Sequence, residues 1–230
     1  MYLRNYKLLL ISFILSLFFF QISLNTELWI KFWGFFNIPA QLPPFSDLES
    51  ISRALLSKQE GFNPYYENPN DISKKPYSYT SFWILLFEYL KLDLELNFKI
   101  FCFFSLKFYF FSFIKIITKI SSLKIKFITI LLFFSTANLL VIERLNIEIL
   151  IFSMLYFMAI SKFYFVKILI FLISIYAKLY PIFSVFIFLR NKILLFLMII
   201  FSLLIIFLLK NEIINIFRVG IEYALLAAHG

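Results

Sequence analysis

Long apolar runs alternate with short polar segments over most of the chain. The runs are continuous stretches rich in Phe, Leu and Ile, without the alternation of apolar and polar positions that a membrane barrel strand shows. We therefore predict an all-α chain. The apolar runs cover about 8–24, 80–92, 98–117, 127–142, 147–160, 168–189 and 193–209.

The composition indicates where these helices fold. Of the 230 residues, 62% are hydrophobic and 15% are charged, against roughly 45–50% and 25% in soluble domains. A soluble domain of this length has too little interior to hide so much apolar surface, whereas a bilayer solvates it. We expect a polytopic integral membrane helical bundle, a single multi-pass transmembrane domain over 1–230 in the inner (plasma) membrane.

A long polar loop, 25–77, follows the first apolar run and holds six of the seven prolines. Loops of this length are usually functional or disordered. Within the loop, Leu28–Phe36 carries Trp29 and Trp33 and is typical of a helix lying at the membrane surface. Ser46–Lys58 has the apolar spacing of a helix, and we predict Ser46 as its N-cap.

The net charge of +9 comes mostly from short segments between apolar runs, which is the pattern of cytoplasmic loops in membrane proteins. No basic stripe lies on a soluble domain, so we expect no nucleic-acid binding. Arg4 and Lys7 before the first run place the chain's start in the cytoplasm and the loop 25–77 on the extracytoplasmic side.

Strict alternation of all seven runs would put the lysines of Lys115–Lys126 outside, against the positive-inside rule. The rule is satisfied if run 80–92 does not fully cross the membrane and run 168–189 breaks at Lys178–Pro181. We prefer this arrangement, with Lys115–Lys126 in the cytoplasm.

Disulfide and metal chemistry have few candidates. Cys102 is the single cysteine and lies inside an apolar run, so no intrachain disulfide forms. We expect no cofactor and see no metal cluster, although Asp47 with Glu49 leaves a divalent ion open. His229, at the C-terminus, is expected to be solvated.

Four polar motifs stand out against the apolar background. A charge at membrane depth costs at least ~2.5–3.5 kcal/mol, so Lys178 is a functional candidate by default. The alternative is that Lys178 snorkels or pairs with Glu148 or Glu143. Pro181 favours function, because it frees a nearby backbone carbonyl and opens room for a ligand. The motifs are Pro43-Pro44-Phe45-Ser46-Asp47-Leu48, Gly61-Phe62-Asn63-Pro64-Tyr65, Glu143-Arg144-Leu145-Asn146 and Lys178-Leu179-Tyr180-Pro181.

Two further charged residues have a structural and a functional interpretation. Arg144 either pairs with Glu143 or binds a phosphate through its planar guanidinium. Asp47 is either an acid in the first turn of a helix, stabilised by the macrodipole, or a reacting carboxylate. Gly61 and Pro64 are turn residues under either interpretation.

Taken in order across residues 46–181, these motifs resemble those of the GT-C glycosyltransferases, multi-spanning enzymes that use polyprenyl-phosphate sugars. The resemblance is closest to glycosyltransferase family 87, the polyprenol-phosphate-mannose-dependent α-mannosyltransferases. The chain departs from that family at three positions. Asn63 replaces an acid and is therefore expected to be structural, the paired prolines after Tyr77 are absent, and Leu145 replaces a glycine and is expected to crowd a ligand. The chain is also shorter than typical members.

The resemblance implies an inverting hexosyltransferase that moves a hexose, expected to be mannose, from a polyprenyl-phosphate donor to a lipid or glycan acceptor at the outer side of the membrane. Asp47 would be the catalytic base, and Arg144 and Lys178 would hold the phosphate. The partners are this donor, the acceptor and membrane lipids. The remaining substrate-binding residues are Glu143, Asn146, Tyr65, Tyr77 and Tyr180.

Two other functions remain open. A transporter would also contain a buried Lys178 and a broken helix, although transporters usually show internal repeats and none is visible here. A non-catalytic membrane scaffold or a truncated fragment is the third possibility.

Overall fold

The computed structural model describes residues 2–72 and 74–218. Within these ranges the regular structure is helical and includes no strand, which confirms the all-α prediction. A 3₁₀ helix, Tyr180–Phe188, lies between α9 and α10. The α-helices are α1 Tyr2–Ser23, α2 Thr26–Phe35, α3 Ser46–Gln59, α4 Ser81–Tyr89, α5 Glu95–Lys119, α6 Leu123–Phe133, α7 Thr136–Arg144, α8 Glu148–Ile160, α9 Tyr164–Ala177, α10 Lys192–Leu208 and α11 Lys210–Arg218.

Two of the described helices, α1 and α5, are individually long and apolar enough to cross a bilayer. At 1.5 Å per residue, a helix of the length of α5 reaches about 37 Å, against ~30 Å of hydrocarbon. Two bent pairs raise the number of candidate spans to four: α6 with α7, bent by 51°, and α10 with α11, bent by 62°. Helices α8 and α9 are apolar but shorter. These lengths and compositions are consistent with a membrane protein.

Two of the predicted apolar runs do not form a single long helix. Run 80–92 forms α4, whose nine residues span about 13 Å, less than half of the hydrocarbon thickness. Run 168–189 is divided, because α9 ends at Ala177 and the 3₁₀ helix starts at Tyr180. The break lies where the sequence predicts it: Pro181 has no N–H for the carbonyl four residues earlier, which belongs to Ala177.

The chain forms two compact units. The first unit comprises the chain up to Glu49 and the segment Glu95–Ser153, and the second comprises Ser50–Leu94 and the chain from Met154 onwards. In the first unit, α1 packs along α5. Ser12 and Ser16 are fully buried on α1 and donate to carbonyls of the preceding turn at 2.9 and 2.7 Å. Small side chains at such positions let helices approach closely.

Helix α2 confirms that a helix forms early in the polar loop, but its tryptophans point into the protein. Trp29 and Trp33 are both 0% exposed. Trp33 stacks on Phe19 of α1 at 5.8 Å, and Trp29 meets the ring of Phe45 edge-on at 5.2 Å. These tryptophans therefore hold α2 against the rest of the first unit.

Helix α3 also forms where its apolar spacing predicts, with Ile51, Ala54 and Leu55 fully buried. Ser46 is its first residue and not its N-cap, so that prediction is wrong. The residue before the helix is Phe45, in the left-handed region at φ 65°, and the Ser46 hydroxyl donates to the side chain of Gln41 at 2.6 Å.

The second unit has an apolar core between α9, the 3₁₀ helix and α10. Phe171 of α9 and Phe188 of the 3₁₀ helix meet edge-on at 5.5 Å. This core holds the two halves of run 168–189 against each other despite the break between them. Its buried members are Met158, Phe171, Ile175, Val185, Phe188 and Met198.

Candidate functional site

In the first unit, the side chains of Asp47 and Asn146 are joined across 99 residues of sequence. The Asn146 amide nitrogen donates to Oδ2 of Asp47 at 2.5 Å. Its amide oxygen accepts the backbone N–H of Glu148 at 3.0 Å, where α8 begins. Because the oxygen is used by the start of α8, the NH₂ group is the end that faces Asp47.

Asn146 reaches this position because α7 ends at a left-handed residue. Leu145 has φ 47° and ψ 51°. Its N–H bonds the carbonyl of Ile142 at 3.1 Å, and the N–H of Asn146 bonds that of Val141 at 3.0 Å. This is the Schellman pattern, in which glycine is the preferred residue at the left-handed position. Leu145 therefore adopts a conformation that usually favours glycine.

The leucine at this position is buried, with 1% of its surface exposed. Its side chain therefore packs into the protein.

Glu143 lies inside the first unit, with 0% exposure. Its Oε1 accepts the backbone N–H of Gln41 at 2.7 Å. Trp29 lies close to the same carboxylate, although Trp29 Nε1 and Glu143 Oε2 make no hydrogen bond. Glu143 therefore fixes the segment that leads into α3.

Arg144, the next residue, is partly exposed, with 32% of its side-chain surface accessible. Its Nε lies 3.8 Å from Oε2 of Glu143, which is an ion pair but too long for a hydrogen bond. The pairing predicted for Arg144 and Glu143 is therefore present but loose, and part of the Arg144 side chain is exposed.

The segments 41–47 and 143–146 are thus tied together twice, by Gln41 to Glu143 and by Asp47 to Asn146. Sequence reasoning missed Gln41, whose contribution comes from its backbone N–H and therefore has no sequence signal. The side chain of Gln41 also accepts a hydrogen bond from Ser46, the residue before Asp47.

In the second unit, Lys178 follows the last residue of α9. Its ammonium lies over the rings of Tyr79 and Tyr180, 6.0 and 5.7 Å from their centroids. Such contacts contribute about 0.5–1 kcal/mol at exposed sites and more when desolvated. Tyr180 is 41% exposed, and Lys178 is partly buried.

The carbonyl that Pro181 leaves unpaired is used within the second unit. Thr80 Oγ1 and Trp83 Nε1 donate to the Ala177 oxygen at 3.2 and 2.9 Å. Both residues are buried. The carbonyl is freed as the sequence predicts, but α4 and its N-cap fill the room that we expected a ligand to use.

Three tyrosines pack beside this break. Tyr65 donates to the carbonyl of Tyr79 at 3.1 Å, and Tyr77 donates to that of Thr80 at 3.0 Å. The rings of Tyr65 and Tyr77 meet edge-on at 5.4 Å. Tyr77 is only 2% exposed and is therefore a structural residue here, whereas Tyr65 is partly exposed.

Both phenols are held in the neutral form. Burial raises the pKa of Tyr77 well above its usual range. Burial also raises the pKa of Tyr65, and the nearby carboxylate of Glu212 adds to the effect. At neutral pH both hydroxyls therefore keep their protons and act as donors.

The turn before Tyr65 confirms two structural predictions. Gly61 has φ +91°, a conformation that L side chains rarely adopt. Asn63 accepts the backbone N–H of Tyr65 with its side-chain oxygen at 3.2 Å. Asn63 is thus a turn residue, as expected from its replacing an acid.

Glu212 of α11 is a residue that sequence reasoning missed. Its two carboxylate oxygens accept from the backbone N–H and the hydroxyl of Ser81, at 2.9 and 2.7 Å. The carboxylate therefore satisfies donors at the start of α4. Glu212 is the only acid between Glu148 and Glu222, but Lys210 lies two residues before it, so the sequence does not single out Ser81 as its partner.

A cavity of about 370 Å³ opens beside Tyr65 in the second unit. Its wall combines four apolar and four polar residues, and they come from the end of α3, the turn that follows it, and α4. They are Phe62, Pro64, Ile84 and Leu85, and Lys58, Asn63, Tyr65 and Ser81.

The eight sequence-predicted site residues therefore fall into two groups. Asp47, Glu143, Arg144 and Asn146 belong to the first unit, and Tyr65, Tyr77, Lys178 and Tyr180 to the second. Over residues 2–72 and 74–218, no group of three His, Cys, Asp or Glu side chains could hold a metal ion. His229 lies outside the described residues.

Comparisons with protein-family models, with curated proteins and with solved structures find no match for this chain.

Proposed function

We propose that this chain is a membrane glycosyltransferase that moves a hexose, with mannose as the first candidate, from a polyprenyl-phosphate donor to a lipid or glycan acceptor. The reaction would take place at the extracytoplasmic side of the inner membrane. The observation that carries the proposal is the hydrogen bond between Asp47 and Asn146. It brings together two motifs of the resemblance that lie 99 residues apart.

Asp47 is the general base of the proposed reaction. It takes the proton of the acceptor hydroxyl as the acceptor oxygen forms its bond to C1 of the hexose. The bond between C1 and the phosphate oxygen breaks, the electron pair leaves with the polyprenyl phosphate, and the configuration at C1 inverts. Asn146 fixes one carboxylate oxygen, and a base held in position contributes more than a mobile one.

The leaving phosphate gains negative charge in the transition state, so it needs cations and donors. Arg144 supplies a positive charge for it in this proposal. The planar guanidinium of Arg144 suits bidentate contact with phosphate oxygens.

Asp47 also has a structural interpretation, because it lies in the first turn of α3. An acid there stabilises the helix by about 0.3–1 kcal/mol through the macrodipole. The structural and the catalytic interpretation predict different losses on replacement, so one pair of variants separates them.

The test compares Asp47→Asn with Glu49→Gln, which changes an acid of the same helical turn. Purified protein is incubated with radiolabelled polyprenyl-phosphate mannose and cell-envelope lipid acceptors. We expect Asp47→Asn to lower turnover by ~10²–10⁴-fold with donor binding retained, and Glu49→Gln to stay near the native rate. Near-native transfer by Asp47→Asn, or an equal loss in both variants, would overturn the assignment.

A transporter is the second candidate, favoured by the helix that breaks beside Lys178. It predicts solute uptake into proteoliposomes and no covalent transfer of sugar, so the same preparations distinguish the two functions.

A further inference from the structure

Helices α5 and α6 of the first unit form a hairpin. Phe133, the last residue of α6, packs on Phe113 of α5 with the ring centroids 4.4 Å apart. Because these two residues lie on opposite sides of the connection 120–122, the chain reverses its direction there. Helix α5 is long enough to cross a bilayer. A crossing α5 therefore places the connection, with the helix ends beside it, at a surface of the membrane.

Lysines surround this turn, and no acid close to it in sequence offsets their charge. The segment 96–142 contains no acidic residue. The other end of α5 differs, because Lys99 forms an ion pair there with Glu95. The positive charge of α5 and α6 is therefore concentrated at the turn. The lysines at the turn are Lys115, Lys119, Lys124 and Lys126.

Two of these charges are placed unfavourably for the helices themselves. Lys115 and Lys119 lie one turn apart near the end of α5, and like charges at this spacing destabilise a helix. Lys124 lies in the first turn of α6, where the macrodipole disfavours a positive charge and no acid compensates it. An anion bound at the turn would reduce both of these unfavourable interactions.

Apolar side chains stand between the lysines, and the first unit does not cover them. Leu123, Ile125 and Phe127 are 80%, 54% and 63% exposed, and no residue of α6 is buried. A free phosphate would meet the lysines but leave these side chains in water. A phospholipid supplies an anionic headgroup and an apolar chain together, so it satisfies both features of the surface.

We propose that the α5–α6 turn binds anionic phospholipids. The lysine ammoniums contact the headgroup phosphates, and Leu123, Ile125 and Phe127 lie among the acyl chains. The flexible stems of Lys124 and Lys126 let their charges reach the headgroups while the helix stays in contact with the apolar layer. This binding requires neither the donor nor the sugar-transfer step, so it stands or falls independently of the proposed function.

The test compares an anionic with a zwitterionic lipid. Full-length protein in detergent is titrated with phosphatidylglycerol or with phosphatidylcholine of the same acyl chains, and native mass spectrometry counts the bound lipids. The variant Lys124→Gln/Lys126→Gln removes two charges from the turn. The matched control is Lys74→Gln/Lys75→Gln, which removes two charges from the polar loop, where Asp71 accepts the backbone N–H groups of both lysines.

We expect the native chain and the control to bind phosphatidylglycerol at least ten-fold more tightly than phosphatidylcholine. The turn variant should bind phosphatidylglycerol roughly 30-fold more weakly, since each lysine near an anionic surface contributes about 1 kcal/mol. Its affinity for phosphatidylcholine should not change. Equal affinity of the native chain for the two lipids, or the same loss in the turn variant and the control, would overturn the proposal.

Two further measurements separate a lipid surface from a simple anion site. Leu123→Gln keeps all four lysines and removes the most exposed of the three apolar side chains, so it should weaken the binding of both lipids. Inorganic phosphate should displace no more phosphatidylglycerol than sodium chloride of the same ionic strength, which acts by screening alone. Unchanged lipid binding by Leu123→Gln, or stronger displacement by phosphate, would indicate a site for free phosphate and refute the assignment.

Discussion

Leu145 combines a left-handed backbone with a buried side chain, and these two features make a testable prediction about stability. For an L-residue the left-handed conformation costs roughly 1–2 kcal/mol, and glycine avoids most of this cost. Replacing Leu145 by either alanine or glycine removes nearly the same buried side chain, at about 2–5 kcal/mol. The difference between the two variants therefore reports on the backbone alone.

We expect Leu145→Gly to be more stable than Leu145→Ala by about 1 kcal/mol, although both are less stable than the native chain. The control is Leu139, which is 5% exposed and lies inside α7. There the order should reverse, with Leu139→Ala more stable than Leu139→Gly by about 0.5–1 kcal/mol. Thermal unfolding in detergent, followed by circular dichroism, resolves these differences, since 1 kcal/mol shifts Tm by roughly 2–4 °C in a chain of this size.

The refuting result is a Leu145→Ala variant that is as stable as Leu145→Gly, or more so. Residue 145 would then not be left-handed, and α7 would not end in the Schellman pattern. Asn146 would lose the geometry that points it at Asp47, and the argument for a shared site in the first unit would fail with it.

Asn146→Asp places a second carboxylate beside Asp47, and like charges raise the proton affinity of the pair. The acidic limb of the pH–rate profile of transfer should therefore move to higher pH. Burial and a neighbouring carboxylate raise the pKa of Tyr65 in the folded protein. The contribution of Tyr65 to the free energy of unfolding is therefore complete below the ordinary tyrosine pKa of about 10. It is lost as the pH rises from there through the pKa of Tyr65 in the folded protein. Thermal unfolding at about pH 9 and pH 11 should show a larger loss in the native chain than in Tyr65→Phe. The predicted membrane topology can be tested by labelling single cysteines on a cysteine-free background. Gln59→Cys should react with a reagent added outside and Ser121→Cys only with one that reaches the cytoplasm, since both positions are exposed. Labelling of Ser121→Cys from outside would contradict the predicted topology.

The features that the sequence predicts correctly depend on local chemistry. The buried face of α3 follows from the spacing of Ile51, Ala54 and Leu55, because a helix places these positions on one side. The break after Ala177 follows from the missing N–H of Pro181. The turn at Gly61 follows from its freedom to adopt positive φ.

The features that the sequence does not predict depend on contacts between distant segments. Trp29 and Trp33 have the composition of a membrane-surface helix, and only the packing of α2 in the first unit shows that they are buried. The same holds for Ser46, whose hydroxyl has a local use as an N-cap and a non-local use with Gln41. Local propensity cannot decide between these uses, because both satisfy the hydroxyl group.

The motif Glu143–Asn146 shows how the end of a helix assigns different roles to neighbouring residues. Successive side chains on a helix point about 100° apart, so Glu143 faces the interior while Arg144 reaches the surface. If α7 continued, residue 146 would lie on the same face as Glu143, three positions along, and would be buried with it. The helix instead ends at Leu145, whose positive φ turns the chain and brings the Asn146 amide to Asp47. The proposed base is therefore held in place by the termination of α7, and the order of residues in the motif does not by itself reveal this.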